Sequence, residues 1–168
     1  MQLASSEPDI IVAGSDFEHF YRVAYADVAR ALGITLGDRA LGAEAADEAM
    51  ARTFAHWEKV RHYDNPGGWA YRVGLNWARS IRRRIARRPV VTDAGVTEQP
   101  PVADPQIQAA LEALSIDLRS VMVCRFIMDW SVEETAEALG LRAGTVKSRT
   151  HRAVAQLQGT LDPFRKEH

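Results

Sequence analysis

The stretch at 131–157, SVEETAEALGLRAGTVKSRTHRAVAQL, admits few folds. Ser131 and Glu134 have capping-box spacing, a hydroxyl for the first unpaired amides and a carboxylate reaching back. Val132, Thr135, Ala136 and Leu139 follow three and four apart, on one helical face. Gly140 stands where that helix must stop, because glycine enters the left-handed region at little cost. A second helix carries Val146, Thr150, Ala153 and Leu157 on its inner face. At 100° per residue, Lys147, Ser148, Arg149, His151 and Arg152 lie off that stripe. A short helix, a glycine turn and a basic second helix form a helix-turn-helix pattern, whose second helix fits a major groove. An ordinary helical hairpin with a solvated basic face has the same pattern, so the rest of the chain must decide.

Composition narrows the class. Of 168 residues, 46% are hydrophobic and 26% charged, an ordinary balance for a soluble globular chain of one domain or two small ones. The formal net charge of −1 conceals clustering: Arg79, Arg82, Arg83, Arg84, Arg87 and Arg88 fall within ten positions. Cations favour a helix C-terminus, but this many repel one another unless a polyanion neutralises them. The single cysteine, Cys124, makes no internal disulfide and no cysteine zinc site, and its apolar surroundings predict a small core residue. No apolar run reaches membrane-spanning length, and the N-terminus lacks a signal peptide's basic start and long apolar core. A cytoplasmic chain without membrane insertion is expected.

The periodicity predicts helices throughout, hence an all-α fold. Residues 1–15 are expected to form a disordered N-terminal tail. Ser15 and Glu18 repeat the capping-box spacing, and Phe17, Phe20, Tyr21, Ala24, Val28 and Leu32 continue at helical spacing to about Leu36. After a break at Gly37-Asp38, a second helix over about 40–59 has Ala46, Met50, Phe54 and Trp57 as its core stripe. Glu44, Asp47 and Glu48 in its first half suit the helix dipole or a docking face. Asn65-Pro66-Gly67-Gly68 is a strong breaker. A third helix over about 68–88 has Ala70, Val73, Trp77, Ile81 and Arg84 or Ile85 on its buried side. From 89 to 105 the period dissolves into a proline-rich stretch whose charges, Asp93, Glu98 and Asp104, are all acidic. It reads as a flexible linker. Ile107, Ala110, Leu111 and Leu114 define a short helix, and a helix over about 118–128 is apolar on most sides. Two small helical domains follow, at 16–88 and 106–162, with a short tail at 163–168.

The chain carries no phosphate-binding P-loop, no dinucleotide fingerprint, no HExxH and no GxSxG. His56 and His62 are separated by about 240° on a helix and cannot share a metal from it. No cofactor and no catalytic group is expected. Two basic elements remain, the arginine run and the outer face of the hairpin's second helix. Trp69, Tyr71 and Trp77 lie beside the first. Aromatic rings interleaved with arginine suit unstacked single-stranded bases, although Trp77 also reads as core. The second element has no exposed aromatics and reads as a duplex binder.

These residues resemble a known family. LSIDLRSVMVCRFIMDWSVEETAEALGLRAGTVKSRTHRA is similar to region 4 of the extracytoplasmic-function sigma factors of bacterial RNA polymerase, with GTVKSR its most specific piece. ADEAMARTFAHW followed by NPGGWAYRVGLNWARSIRRR is similar to region 2. The resemblance covers nearly all of 17–161. It implies a specificity subunit that binds core RNA polymerase, through the clamp of the largest subunit and the flap of the second, and recognises promoter DNA. Region 4 would read the −35 element with Arg142, Thr145, Lys147, Ser148, Arg149 and Arg152. Region 2 would bind and melt the −10 element with Lys59, Arg61, His62, Asn65, Trp69, Arg72, Asn76, Arg79 and Arg83. Asp47, Glu48 and Ala51 would meet the clamp. A separate anti-sigma factor is implied, and the acidic linker would stand in for RNA near the exit path. Four positions depart from the pattern. Arg142 takes the place of a capping serine, worth about 1 kcal/mol. Ala51-Arg52 replaces Gln-Glu, and Thr150 replaces leucine. The competing expectations are a stand-alone helix-turn-helix regulator with a sensing or dimerising N-terminal half, and a pure interaction module.

Overall fold

The computed structural model describes residues 7–88 and 104–165, with side-chain surroundings over 14–88 and 104–161. All regular structure among them is helical. In order come α1 (Glu7–Leu36), α2 (Arg39–Ala55), α3 (Trp57–Val60), α4 (Pro66–Ala86), α5 (Pro105–Glu112), α6 (Ile116–Met122), α7 (Val132–Leu139) and α8 (Ala143–Arg165). A π turn at Val123–Ile127 extends α6.

Small residues set the packing of the N-terminal helices. The α1–α2 corner uses Gly37 at φ 63° and then Asp38, whose carboxylate accepts from Leu41 N at 2.9 Å. Beyond it the two backbones nearly touch, since a Cβ on Gly42 would lie 2.4 Å from Gly33 Cα. Gly74 likewise lets α4 approach, since a Cβ there would lie 2.7 Å from Leu32 Cδ1 and 2.9 Å from the Ala45 carbonyl oxygen. Between them Val28, Ala31, Leu32, Ala45, Ala49, Tyr71, Leu75 and Ala78 are buried. Asn65 caps α4 through Gly68 N at 2.8 Å, with Pro66 in the first turn, where its missing N–H costs nothing.

The C-terminal helices close the same core. Val123, Cys124, Trp130 and Ala138 belong to one buried cluster with Val28, Leu32, Leu36, Tyr71 and Leu75. Behind it, Leu111, Leu114, Leu118, Met122 and Ala153 join α5, α6 and α8, while Val121, Ala136 and Val146 join α6, α7 and α8. Polar contacts stitch the seam between the halves. The Tyr71 hydroxyl lies 2.7 Å from Thr35 Oγ1 and bonds the Cys124 thiol. Arg119 donates to Thr35 O, Leu111 O, Glu112 O and Leu114 O, each at 2.8–2.9 Å. Burial lowers its pKa, and Glu112 opposes that shift.

Several expectations are corrected. The first helix runs from Glu7 through Ser15, so 7–15 is helical and Ser15 starts nothing. The second helix breaks at His56, and Phe54 is 59% exposed, because alanines and Thr53 supply the buried face. On α4 the fully buried residues are Gly68, Ala70, Tyr71, Gly74, Leu75 and Ala78, while Val73, Trp77 and Ile81 are half-buried and Ile85 is exposed. Glycine and alanine carry little hydropathy, so a stripe built on close approach is faint in the periodicity. The helix expected over 118–128 widens into the π turn, which leaves Phe126 exposed. Of the linker expected over 89–105, residues 89–103 lie outside the described residues, while Asp104 and Pro105 already cap and open α5.

Candidate nucleic-acid interface

Helix α8 is fixed in rotation by Val146 and Ala153, both fully buried. The turn before it is set by the Ser131–Glu134 capping box, at 3.0 and 2.7 Å, and by Gly140 at φ 64°. This rotation leaves Arg142, Lys147, Ser148 and Arg152 exposed. Thr145 and Arg149 are half-buried at its edge. The Arg142 carbonyl accepts from Val146 N at 3.1 Å and so opens the helix without a serine. Thr150 satisfies its hydroxyl on Val146 O at 2.8 Å, which makes its polarity tolerable on the inner face.

The second set of candidates surrounds the start of α4. Lys59, His62, Arg72, Asn76 and Arg83 are exposed. Arg61 pairs with Asp16 at 2.5 Å, which ties the loop to α1. Trp69 is half-buried, its ring 5.9 Å from that of His56. Asn65 uses its carbonyl oxygen as the helix cap, and its buried amide nitrogen has no hydrogen-bond partner. Tyr63, Asn65, Gly68, Trp69 and Arg72 line one wall of a recess of about 270 Å³. Glu134, Glu137 and Ala138 of α7 line the other. Arg79 is partly exposed and pairs with Asp117 at 3.1 Å.

The third set lies on the outer face of α2. Asp47 accepts from the Tyr25 hydroxyl at 2.7 Å, and that bond, with burial, pushes the phenol up to about 12. Glu48 pairs with Arg52 at 2.7 Å along the helix, and Ala51 is exposed beside them. The acidic residues lie beyond the first turn of α2, where the dipole is cancelled, so the helix terminus does not explain them.

Sequence reasoning missed Tyr25 and Asp117. Tyr25 sits in an amphipathic run and looks like core. Asp117 looks like an ordinary acid in a first helical turn. No cluster of His, Cys, Asp and Glu among the described residues is arranged to hold a metal. No described helix is long and apolar enough to cross a membrane.

Comparison with known proteins places the chain in one family. Residues 105–157 match Sigma-70, region 4. The RNA polymerase sigma-E factor of Streptomyces coelicolor is 32% identical over 154 residues, covering 87% of this chain and 86% of the relative. The ECF RNA polymerase sigma factor SigL of Mycobacterium tuberculosis is 32% identical over 137 residues, covering 74% of this chain and 77% of the relative. Among solved structures, the sigma factor RpoE of Bartonella quintana, in complex with the anti-sigma factor NepR, superposes with a TM-score of 0.73 at 21% identity, over 88% of this chain and 97% of that one. CnrH, in complex with the cytosolic domain of CnrY, gives 0.57 at 24% identity, over 89% and 87%. By sequence likeness along most of its length and by its all-helical fold, the chain belongs to the extracytoplasmic-function family of RNA polymerase sigma factors.

Proposed function

We propose that this chain directs core RNA polymerase to promoters by gripping two separated DNA elements with the units at 16–88 and 106–162. The observation that carries this reading is the rotation of α8, which buries Val146 and Ala153 and turns Arg142, Lys147, Ser148 and Arg152 outward from a capped turn. These side chains, with Thr145 and Arg149, read the −35 duplex in its major groove. Lys59, Arg61, His62, Asn65, Trp69, Arg72, Asn76, Arg79 and Arg83 hold the −10 element and its opened strand. Opening costs about 1.4 kcal/mol of stacking per base step, and each base stacked on an aromatic ring returns about 1–3 kcal/mol. Capture of a few bases therefore supports melting without a nucleotide-hydrolysing site.

The α2 face with Asp47, Glu48 and Ala51 meets the clamp of the largest polymerase subunit, and the C-terminal unit meets the flap of the second. The acidic linker follows the path of RNA. Work is in the cytoplasm, and a separate anti-sigma factor restrains it. The RpoE and CnrH complexes support that last partner, each being a sigma-like fold seen with a second protein. The test is run-off transcription with the purified chain and core enzyme on a library of promoter fragments. Transcripts that start at fixed positions and require this chain are expected. Tight, specific duplex binding without polymerase, and no initiation with it, would instead favour a stand-alone regulator.

A further inference from the structure

Two neighbouring acids on the outer face of α2 are treated differently. Glu48 is neutralised within its own helix, by Arg52 at 2.7 Å. Asp47 pairs with no cation among the described residues. Its Oδ1 instead accepts from a neutral donor, the Tyr25 hydroxyl of α1, at 2.7 Å. The Tyr25 ring is itself held, stacked on Tyr21 with centroids 5.0 Å apart and planes at 23°. The bond to Asp47 and then burial push the phenol up to about 12, so it stays a protonated donor at neutral pH and adds no charge. Tyr25 thus fixes the direction of the Asp47 carboxylate and leaves its charge whole.

Helix packing does not require this bond. Gly33 and Gly42 already nearly touch, and Ala31, Leu32, Ala45 and Ala49 are fully buried beside them. Asp47 is exposed at the rim, where water competes for the same oxygen. An exposed carboxylate ordinarily samples several orientations, and a partner that captures it must freeze one. A side chain already held lowers that cost. We propose that Tyr25 is a positioning residue of the polymerase-docking face, presenting Asp47 as an aimed, un-neutralised carboxylate to a guanidinium of the partner. The proposal rests on the reading of the α2 face as a docking surface given above. Aim matters most to a guanidinium, whose planar fork must meet both carboxylate oxygens at once. The Tyr25 hydroxyl occupies one of about four lone-pair sites on Asp47 and leaves the others for that fork.

The experiment is a double-mutant cycle on binding. Unlabelled Tyr25→Phe, Asp47→Asn and the double variant compete with a fluorescent wild-type chain for purified core polymerase, over a range of salt concentrations. Tyr25→Phe keeps the stacked ring and removes only the hydroxyl. It is expected to bind core about three to ten times more weakly, with the salt dependence of wild type, because the charge remains. Asp47→Asn is expected to bind at least as weakly and to depend less on salt. The double variant should bind no more weakly than Asp47→Asn, since Tyr25 then has no charge to aim. Urea midpoints of all three should stay near wild type, whereas a purely structural tie would lower them and leave the cycle additive. Wild-type affinity in Tyr25→Phe beside a loss in Asp47→Asn overturns the positioning role and leaves the docking face standing. Losses that multiply in the double variant also overturn it, because Tyr25 then acts apart from Asp47. Full affinity in both single variants removes the docking role of Asp47 and the proposal with it, while run-off transcripts that still require the chain keep the promoter-directing function.

Discussion

The ring of Trp130 stands edge-on to that of Tyr71, centroids 5.8 Å apart and planes at 82°. A residue just before the helix-turn-helix therefore completes the core of the N-terminal helices, so that packing joins the two halves in this arrangement. Trp130→Ala is expected to lower the unfolding free energy by about 3 kcal/mol, as large-to-small changes in packed cores do. Urea denaturation checks the loss. Faster Cys124 modification should accompany it.

The near-contact of Gly33 and Gly42 makes a paired prediction. Gly42→Ala places a methyl 2.4 Å from the facing backbone, so the helices must part, at about 2 kcal/mol or more. Gly159 in α8 has nothing within 4 Å of an added Cβ. Gly159→Ala should raise stability by about 0.5–1 kcal/mol through helix propensity alone. Thermal melts of the two variants, moving in opposite directions, test whether close approach is the reason for the first glycine.

On DNA, Arg149→Ala should lose about 1–3 kcal/mol at one or two −35 positions if it meets a base edge, and equally on every sequence if it meets phosphate. Affinities for a set of singly substituted duplexes separate the two. Trp69→Ala should spare −35 binding and reduce strand opening. Permanganate reactivity of thymines in the −10 region, with polymerase present, reads that step.

The Cys124 thiol gives a pH dependence of known sign. Burial pushes it from 9.0 up to about 12, partly opposed by its bond with Tyr71. The folded chain holds its proton more tightly than the unfolded chain. The associated stability is complete below about pH 9 and is lost as pH rises towards 12, at no more than about 1.4 kcal/mol per unit. Tyr71, also pushed up by burial, adds a loss of the same sign at higher pH. Urea midpoints should fall from about pH 9 upward, and Cys124→Ala should flatten the first part of that fall.

The helix-turn-helix was legible because its signals are local. Ser131, Glu134, Gly140, Val146 and Ala153 specify cap, stop and rotation within two dozen residues, and each occupies its expected place. The arginine run was equally plain in outline. Less legible was what buries α4 and α2, since Gly42, Gly74 and the alanines act by permitting approach, and hydropathy does not register an absent side chain. Phe54 was misplaced for the same reason, as a large apolar residue outranked the small ones that pack. Asp117 was invisible because its partners lie 38 positions before it and 32 after it, so that no sequence window contains all three.

Arg119 determines how the two halves would part. Of its acceptors, only Thr35 O belongs to the N-terminal helices, and Leu111 O, Glu112 O and Leu114 O travel with the arginine itself. Separation would therefore break a single bond of this group, that of Nη1, and leave a cation still holding three carbonyls on its own side. The joint resembles a perforated edge, which tears along one line and presents, on the torn face, an anchor already shaped for closing again.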